Sequence, residues 1–274
     1  MKVLIPVAGS GTRLQPLTHT LPKVLLPVAG SPMLAHILNP VSRIRKLSRV
    51  IFIIGHFGAD IRRWVTDNYQ FDSFFVEQNE RRGLGHAVYL AKDIVMDGVR
   101  EPLLIILGDT LCVLDSEKPM PLFHDAAIAV KTVQDPSRFG VAVIGPDGIV
   151  NRLVEKPREP VSDLALIGVY HFRNTELLFQ CLEEIMERDI RTSGEFQLTD
   201  AMALMIKKGA RIAAVPTKHW FDCGKVETLL QTNADLLREG GGHCRGRIID
   251  SHIISPVAID ENSVVERSIV GPNV

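Results

Sequence analysis

The chain has 274 residues, of which 46% are hydrophobic and 23% are charged, and its formal net charge is −1 at pH 7. This length and a mean hydropathy of +0.12 allow a large core in one compact domain with a smaller appended part, and they exclude a disordered chain. The small net charge provides no overall positive field for a nucleic acid or an acidic membrane. Anions must therefore bind at local clusters of charge, and the expected ligand is small.

The cysteines and the N-terminus indicate the compartment. The four cysteines lack the close paired spacing of zinc sites and disulfide frameworks, so reduced and mostly packed thiols are expected. The N-terminus has one lysine and a short apolar run that enters a glycine-rich loop, which fits neither a secretory signal nor a membrane span. We expect a cytoplasmic protein with no membrane or nucleic-acid partner.

Short apolar, β-rich runs alternate with longer helix-compatible stretches along the first 238 residues. This alternation predicts an α/β fold with a mostly parallel sheet flanked by helices, whose strands are buried on both faces. Ligands of such sheets bind beyond the carboxyl ends of the strands, so that loops distant in sequence can share one cleft. The predicted strands are 3–7, 50–54, 103–107, 127–133 and 212–215, and the predicted helices are 33–47, 86–96 and 175–188.

The first predicted strand leads into a loop of small residues with two cations. Residues 3–14 have the sequence VLIPVAGSGTRL, and a Pro-Lys pair ending at Lys23 follows. Gly9 and Gly11 allow backbone N–H groups to approach an anion closely, while Arg13 and Lys23 supply a planar fork and a compact charge for phosphate. The loop lacks residues that a P-loop or a dinucleotide fingerprint requires. A turn with two solvated cations is the alternative.

Residues 9–18 (GSGTRLQPLT) and 22–28 (PKVLLPV) resemble the opening motif of the sugar-1-phosphate nucleotidyltransferases, also called nucleotide-sugar pyrophosphorylases. Later motifs follow in family order over most of the first 230 residues and are most similar to glucose-1-phosphate thymidylyl- and uridylyltransferases. The resemblance implies a Rossmann-like nucleotide-diphospho-sugar transferase fold. It also implies Mg²⁺-dependent joining of a sugar 1-phosphate to a nucleoside triphosphate, with Arg13 and Lys23 catalytic. The implied nucleotide-binding residues of the loop are Ala8, Gly9, Ser10, Gly11 and Thr12.

The segment 77–87, EQNERRGLGHA, is polar, then glycine-rich, and leads into a predicted helix. Gln78 carries both a donor and an acceptor, as the imide face of a pyrimidine requires, and Gly83 would leave room for the ring. Taken alone, the segment also fits a solvated loop, with His86 as a packing residue. The family resemblance implies that Gln78 and Gly83 bind the nucleotide, which favours UTP or dTTP.

Two aspartates follow apolar segments. Asp109 follows the predicted strand 103–107 after Gly108, and Asp222 lies within the sequence WFDCG at 220–224. One or two carboxylates can hold Mg²⁺ when phosphates and waters complete its coordination shell. Each aspartate alone could be a turn residue. The resemblance implies that Asp109 and Asp222 together are the metal ligands.

Two further segments resemble the sugar-phosphate site of the family. Gly140 would allow close approach of the sugar, Glu155 would accept hydrogen bonds from its hydroxyls, and Lys156 would neutralise its phosphate. The segment 193–200, SGEFQLTD, includes Glu195 as a further sugar contact and starts a helix with Thr199 or Asp200 as the expected N-cap. Glucose 1-phosphate is the expected sugar substrate, and mannose 1-phosphate with GTP is the alternative.

The composition changes after Arg238. A glycine-rich linker at 239–242 predicts a catalytic domain of residues 1–238 and a separate part of residues 239–274. Ile253, Ile259 and Val265 recur every six residues, which resembles the first coils of a left-handed parallel β-helix; a short edge hairpin is the alternative. Because solenoids bury their core by stacking repeats, this part would need a cap, a partner subunit or further chain, and we expect a homo-oligomer through it.

Two other functions remain open from the sequence. A nucleotide-sugar-binding regulatory subunit would keep the fold without turnover, although the presence of Arg13, Lys23, Asp109 and Asp222 argues against it. An acyltransferase that uses the C-terminal repeats is a weaker hypothesis, because few repeats are visible and no catalytic histidine is evident among them.

Overall fold

The structure is a computed structural model that describes residues 1–113, 123–217 and 219–274. The α-helices are α1 (Met33–Ser42), α2 (Gly58–Asn68), α3 (Leu84–Tyr89), α4 (Lys92–Val95), α5 (Thr175–Glu187), α6 (Leu198–Lys207) and α7 (Val226–Leu236). The strands are β1 (Lys2–Pro6), β2 (Pro27–Val28), β3 (Ser31–Pro32), β4 (Arg49–Ile54), β5 (Ser73–Glu77), β6 (Leu103–Ile106), β7 (Thr110–Val113), β8 (Ala126–Thr132), β9 (Gly140–Ile144), β10 (Val150–Glu155), β11 (Leu164–Phe172), β12 (Ile212–Pro216), β13 (His219–Asp222), β14 (His243–Cys244), β15 (Arg247–Ile249), β16 (His252–Ile253), β17 (Ala258–Ile259), β18 (Val264–Glu266) and β19 (Ile269–Val270).

One sheet of nine strands forms the centre of the described chain. Its path is β10-β9-β11-β6-β1-β4-β5, and β8 joins β11 to β12. Strand β1 is parallel to β4 and β6, β4 is parallel to β5, and β12 is parallel to β8. Strand β11 is antiparallel to β6, β8 and β9, and β10 is antiparallel to β9. Within this sheet the seven strands other than β10 and β11 therefore point the same way, which confirms the predicted mostly parallel α/β sheet.

The central strands are buried on both faces, as their uninterrupted apolar sequences predict. Leu4 and Ile51 belong to a core that includes residues of α3, α5 and α6, whereas Val3 and Phe52 belong to a core on the opposite face with residues of α1 and α2. All four side chains have no exposed surface. Alternate side chains of each strand thus pack against helices on opposite faces of the sheet. The carboxyl edge of the sheet remains open to the loops.

Two predicted helices have different limits in the structure. The helix predicted over 33–47 ends at Ser42, two residues after Pro40; proline removes a backbone donor inside a helix. The helix predicted over 86–96 is divided into α3 and α4. The helix predicted over 175–188 is confirmed as α5, with the Asn174 side chain accepting a hydrogen bond from the Leu177 N–H.

The start of α6 corrects a predicted cap. The helix begins at Leu198 with Gln197 in the N-cap position and without a side-chain cap hydrogen bond. Thr199 and Asp200 therefore lie inside the first turn and are not caps. The Thr199 hydroxyl instead donates to Glu155 Oε2 at 2.8 Å, which connects α6 to the end of β10.

The C-terminal region forms three pairs of short parallel strands: β14 with β17, β15 with β18, and β16 with β19. Parallel pairing disagrees with the edge hairpin, whose strands would be antiparallel. A left-handed β-helix remains a prediction for this region. The residues interpreted as a linker are in part a π-type turn, Leu237–Gly241, which continues from α7.

Two further findings concern the cysteines and membrane contact. Cys112, Cys181, Cys223 and Cys244 are all free thiols; Cys181 and Cys223 are buried, and Cys244 is exposed. Burial raises the pKa of the Cys223 thiol to about 12. Among the residues that the structure describes, no helix has the length and apolar character needed to cross a lipid bilayer.

Candidate active site

The glycine-rich loop leaves β1 at the carboxyl edge of the sheet. Gly11 has a φ of 64°, and a Cβ there would lie 2.8 Å from Thr18 Cγ2 and 3.1 Å from Lys23 Cβ. Glycine is therefore required both by the left-handed backbone and by the close neighbours. The Thr18 hydroxyl donates to the Gly11 carbonyl at 2.8 Å. These contacts hold the loop against the short turn that contains Lys23.

A cleft of about 480 Å³, which we call the first cavity, opens beside this loop. The predicted loop residues Gly9, Gly11, Thr12, Arg13 and Lys23 line it, together with Gly108, Asp109, Leu84, Glu195 and Gly224. Ala8 and Ser10 instead line a small adjoining pocket with Gly9. The structure thus places the two predicted catalytic cations on one wall of a cavity large enough for a small ligand.

Asp109 and Asp222 are brought together by the pairing of β7 with β13. In this antiparallel ladder Asp222 is opposite Thr110, and the Cys223 N–H donates to the Asp109 carbonyl at 3.3 Å. Both aspartates line a second cavity of about 390 Å³. Arg13 and Asp109 line both cavities, so the two spaces meet at these residues.

Each aspartate has a cation partner. Lys23 Nζ donates to Asp109 Oδ2 at 2.7 Å, and a terminal nitrogen of Arg138 lies 3.6 Å from Asp222 Oδ2. The Gly224 N–H also donates to Asp222 Oδ1 at 2.9 Å. The Asp109 side chain is 36% exposed and the Asp222 side chain is 21% exposed. Both carboxylates can therefore be reached from the cavities.

The aspartate pair is suitable for a hard divalent cation. Carboxylate oxygens are ligands that Mg²⁺ accepts, and phosphates and waters commonly complete its shell. Among the described residues no cluster of three or more histidine, cysteine, aspartate or glutamate side chains could hold a metal. Asp109 and Asp222 would therefore need oxygen ligands from a bound substrate and from water.

The predicted sugar-phosphate residues lie at the end of the β9–β10 ladder, where Gly140 is opposite Glu155. A Cβ at Gly140 would lie 2.9 Å from Glu155 Oε2, so glycine leaves the space that this carboxylate occupies. Lys156 Nζ lies 3.7 Å from Glu155 Oε1, and the Lys156 side chain lines the second cavity. The structure thus places Glu155 and Lys156 next to one another, and Lys156 lines the same cavity as Arg13 and the two aspartates.

The surroundings of Gln78 and Gly83 differ from the prediction, because the space beside Gly83 is already filled. Gln78 Nε2 lies 3.3 Å from the Gly83 carbonyl and 3.3 Å from His86 Nδ1. Gly83 has a φ of 107°, and a Cβ there would lie 2.5 Å from the Phe196 carbonyl. The space that the missing side chain leaves is therefore filled by backbone and not left for a base. Burial lowers the pKa of His86, with the charge of Arg82 as a further cause.

Two residues of the site were missed from the sequence. Arg138 directly precedes Phe139 and lines the second cavity; its position next to the Phe139-Gly140 segment was the available signal. Tyr170 is buried beneath the site, and its burial, with the charges of Glu155 and Asp109, raises its pKa. Nothing in the local sequence distinguishes Tyr170 from an ordinary core residue.

The glycine-rich loop, the cations and the two aspartates thus lie together at the carboxyl edge of an α/β sheet, around two adjoining cavities. The nucleotidyl transferase family profile matches residues 2–239. A glucose-1-phosphate thymidylyltransferase of Streptomyces antibioticus is 35% identical over 283 aligned positions, which cover 99% of this chain and 77% of the relative. The chain belongs to the sugar-1-phosphate nucleotidyltransferase family.

Two other comparisons show the breadth of this similarity. The bifunctional protein GlmU of Methanocaldococcus jannaschii is 32% identical; the match covers 97% of this chain and 61% of GlmU. A solved structure of UDP-glucose pyrophosphorylase complexed with UDP-glucose has a TM-score of 0.72, with 24% identity, 87% of this chain covered and 98% of that chain covered. At this identity the structural match supports the fold only.

Proposed function

We propose that the protein joins glucose 1-phosphate to dTTP or UTP and releases a nucleoside-diphosphate sugar and pyrophosphate. The main support is the meeting of two cavities at Arg13 and Asp109. The first cavity has the glycine-rich loop on its wall, and the second has Lys156. Two phosphate-bearing substrates could therefore react where the cavities join.

The chemistry requires orientation and charge neutralisation. A phosphate oxygen of the sugar 1-phosphate would attack the α-phosphorus in line, and this anionic oxygen needs no general base. Arg13 would hold the departing pyrophosphate, Lys23 would stabilise the charge that builds during transfer, and Lys156 would hold the attacking phosphate. Mg²⁺, which Asp109 and Asp222 would hold, supplies positive charge to the phosphate oxygens.

The base and the sugar are proposed from Gln78 and from the thymidylyltransferase relative. Gln78 lies beside the glycine-rich segment that starts α3, where its Nε2 contacts the Gly83 carbonyl and His86. Its carboxamide would turn from these contacts to pair with the imide face of a pyrimidine. The thymidylyltransferase relative favours dTTP with glucose 1-phosphate. A regulatory subunit without turnover is disfavoured, because Arg13, Lys23 and Asp109 all line the same cavity.

Pyrophosphate release tests the proposal. Purified protein with Mg²⁺ is offered dTTP, UTP, GTP, CTP and ATP, each with glucose, mannose, galactose and N-acetylglucosamine 1-phosphates. We expect release that needs both substrates and stops when the metal is chelated, with dTTP or UTP and glucose 1-phosphate as the fastest pair. Nucleotide binding with no release from any pair would instead support the regulatory subunit.

A further inference from the structure

Arg138 is a charged residue of the second cavity to which the proposed mechanism gives no role. It ends the short helical turn Pro136–Arg138, which only Phe139 separates from β9. The turn is fixed by Asp135, whose Oδ1 accepts hydrogen bonds from the Ser137 N–H and hydroxyl at 3.2 and 2.6 Å. The guanidinium also lies 5.4 Å from the centre of the Phe139 ring. Arg138 therefore has a defined position at the wall of the cavity.

Each of the two aspartates forms an ion pair with a cation that lines one of the cavities. Lys23 is paired with Asp109 and lines the first cavity, whereas Arg138 is paired with Asp222 and lines the second. Each pair thus places one cation next to one of the two spaces. Lys23 lines the first cavity, which we assign to the triphosphate. Arg138 lines the second cavity, which we assign to the sugar 1-phosphate.

The charges of the second cavity indicate when Arg138 becomes available. Its described lining includes the cations Arg13, Arg138 and Lys156 and the anions Asp109 and Asp222. A divalent cation held by the two aspartates would compete with Arg138 for Asp222. The guanidinium would then be free for another anion, and a phosphate matches its planar, multiply donating geometry.

We propose that Arg138 neutralises Asp222 in the free protein and binds the phosphate of the sugar 1-phosphate during turnover. This inference rests on the proposed function. A purely structural ion pair is the contrasting explanation. At 3.6 Å and with 36% of the Arg138 side chain exposed, such a pair contributes little to folding. The structural explanation therefore predicts little change in any substrate constant when Arg138 is replaced.

The kinetic test uses Arg138→Gln, Arg138→Lys and the control Arg188→Gln, which removes an exposed pair with Glu184 of 2.7 Å. With dTTP, glucose 1-phosphate and Mg²⁺, we expect Arg138→Gln to raise the KM for glucose 1-phosphate by roughly ten- to a hundredfold, because a charge-assisted contact is lost. The KM for dTTP should change by less than about threefold, and Arg138→Lys should give an intermediate value. A change of less than about threefold in the glucose 1-phosphate KM, or equal rises in both constants, would overturn the proposal.

A second readout does not depend on turnover. Mn²⁺ binding to the substrate-free protein is measured by electron paramagnetic resonance. Arg138→Gln should bind Mn²⁺ at least about threefold more tightly than wild type, because a cation that competes for Asp222 is absent; unchanged or weaker binding would contradict the pairing with Asp222. If none of the substrate pairs supports pyrophosphate release by the wild-type protein, the proposed function fails, and the proposed role of Arg138 in binding the sugar phosphate fails with it. The Mn²⁺ result then still decides whether Arg138 neutralises Asp222.

Discussion

Lys23 is held between a carboxylate and the first cavity. Its Nζ donates to Asp109 at 2.7 Å, and only 11% of the side chain is exposed. We expect Lys23→Ala to lower kcat by about a hundred- to a thousandfold, with a much smaller change in the KM for dTTP, because the ammonium would act on charge that develops during transfer. Pyrophosphate release measured over a range of dTTP concentrations, at saturating glucose 1-phosphate and Mg²⁺, gives both kcat and the KM for dTTP.

A matched variant separates this effect from the loss of an ion pair as such. Lys208→Ala removes a pair with Glu184 of 2.9 Å on the surface, outside both cavities. It should retain wild-type turnover. If Lys23→Ala turned over at the wild-type rate, Lys23 would have no catalytic role.

Residues in the glycine-rich loop could be predicted because they follow one another along the chain. Gly11, Arg13 and Lys23 were expected in a single anion site, and all three line the first cavity. Arg138 is adjacent in sequence to the Phe139-Gly140 segment, but its contact with Asp222 could not be predicted, because Asp222 is distant along the chain and becomes a neighbour only in the folded protein.

Whole elements are likewise predictable where their signal is local, but not where they depend on contacts between distant segments. The strands β1, β4, β6, β8 and β12 are long apolar runs and were predicted within a residue or two of their limits. The pairing of β7 with β13, which brings Asp109 beside Asp222, involves two short strands of mixed composition. Such strands have weak local signals, because their pairing depends on the surrounding tertiary structure.

Strand β11 contains a buried histidine that should make stability depend on pH. His171 is 3% exposed, and neither ring nitrogen has a hydrogen-bond partner within the described part of the chain. Burial lowers the pKa of His171. Below the unfolded-state pKa of about 6.5, His171 binds a proton more readily in the unfolded chain than in the folded protein. The free energy of unfolding therefore decreases as the pH falls.

We expect His171→Leu to reduce the loss of folding stability at low pH. Below pH 6.5 the variant should gain stability relative to wild type by up to about 1.4 kcal/mol per pH unit, until the pH reaches the folded-state pKa of His171. Urea unfolding at intervals between pH 5 and pH 8 measures the difference. Parallel stability curves for the two proteins would show that His171 does not titrate differently in the folded and unfolded states.

At the scale of the whole molecule, the C-terminal strands contact the turn between β2 and β3. Gly30 has a φ of 79°, and a Cβ there would lie 2.8 Å from Ala258 Cβ. The predicted repeats gave no indication of this contact, because a repeat pattern describes pairing between coils and not the surface on which the coils pack. The turn follows the segment that contains Lys23, so the C-terminal region contacts an element close to the site.

Asn233 of α7 connects these parts directly. Its Oδ1 accepts a hydrogen bond from the Ala29 N–H at 2.8 Å, and its Nδ2 donates to the Asn273 carbonyl at 2.9 Å. We expect Asn233→Ala to lower the free energy of unfolding by about 1–3 kcal/mol, because both backbone groups lose their partner. Asn233→Asp keeps an acceptor for Ala29 but loses the donor to Asn273, so it should release the C-terminal strands and leave the turn protected.

Hydrogen exchange measured by mass spectrometry distinguishes these outcomes. Asn233→Ala should speed exchange in residues 27–32 and in 243–274, whereas Asn233→Asp should speed it in 243–274 alone. Gln231→Ala is the matched control, because Gln231 is an exposed amide on the same helix that bonds only to Asp235 among the described contacts. If exchange in 243–274 were unchanged in both Asn233 variants, the C-terminal strands would be held by packing at Gly30 and not by this carboxamide.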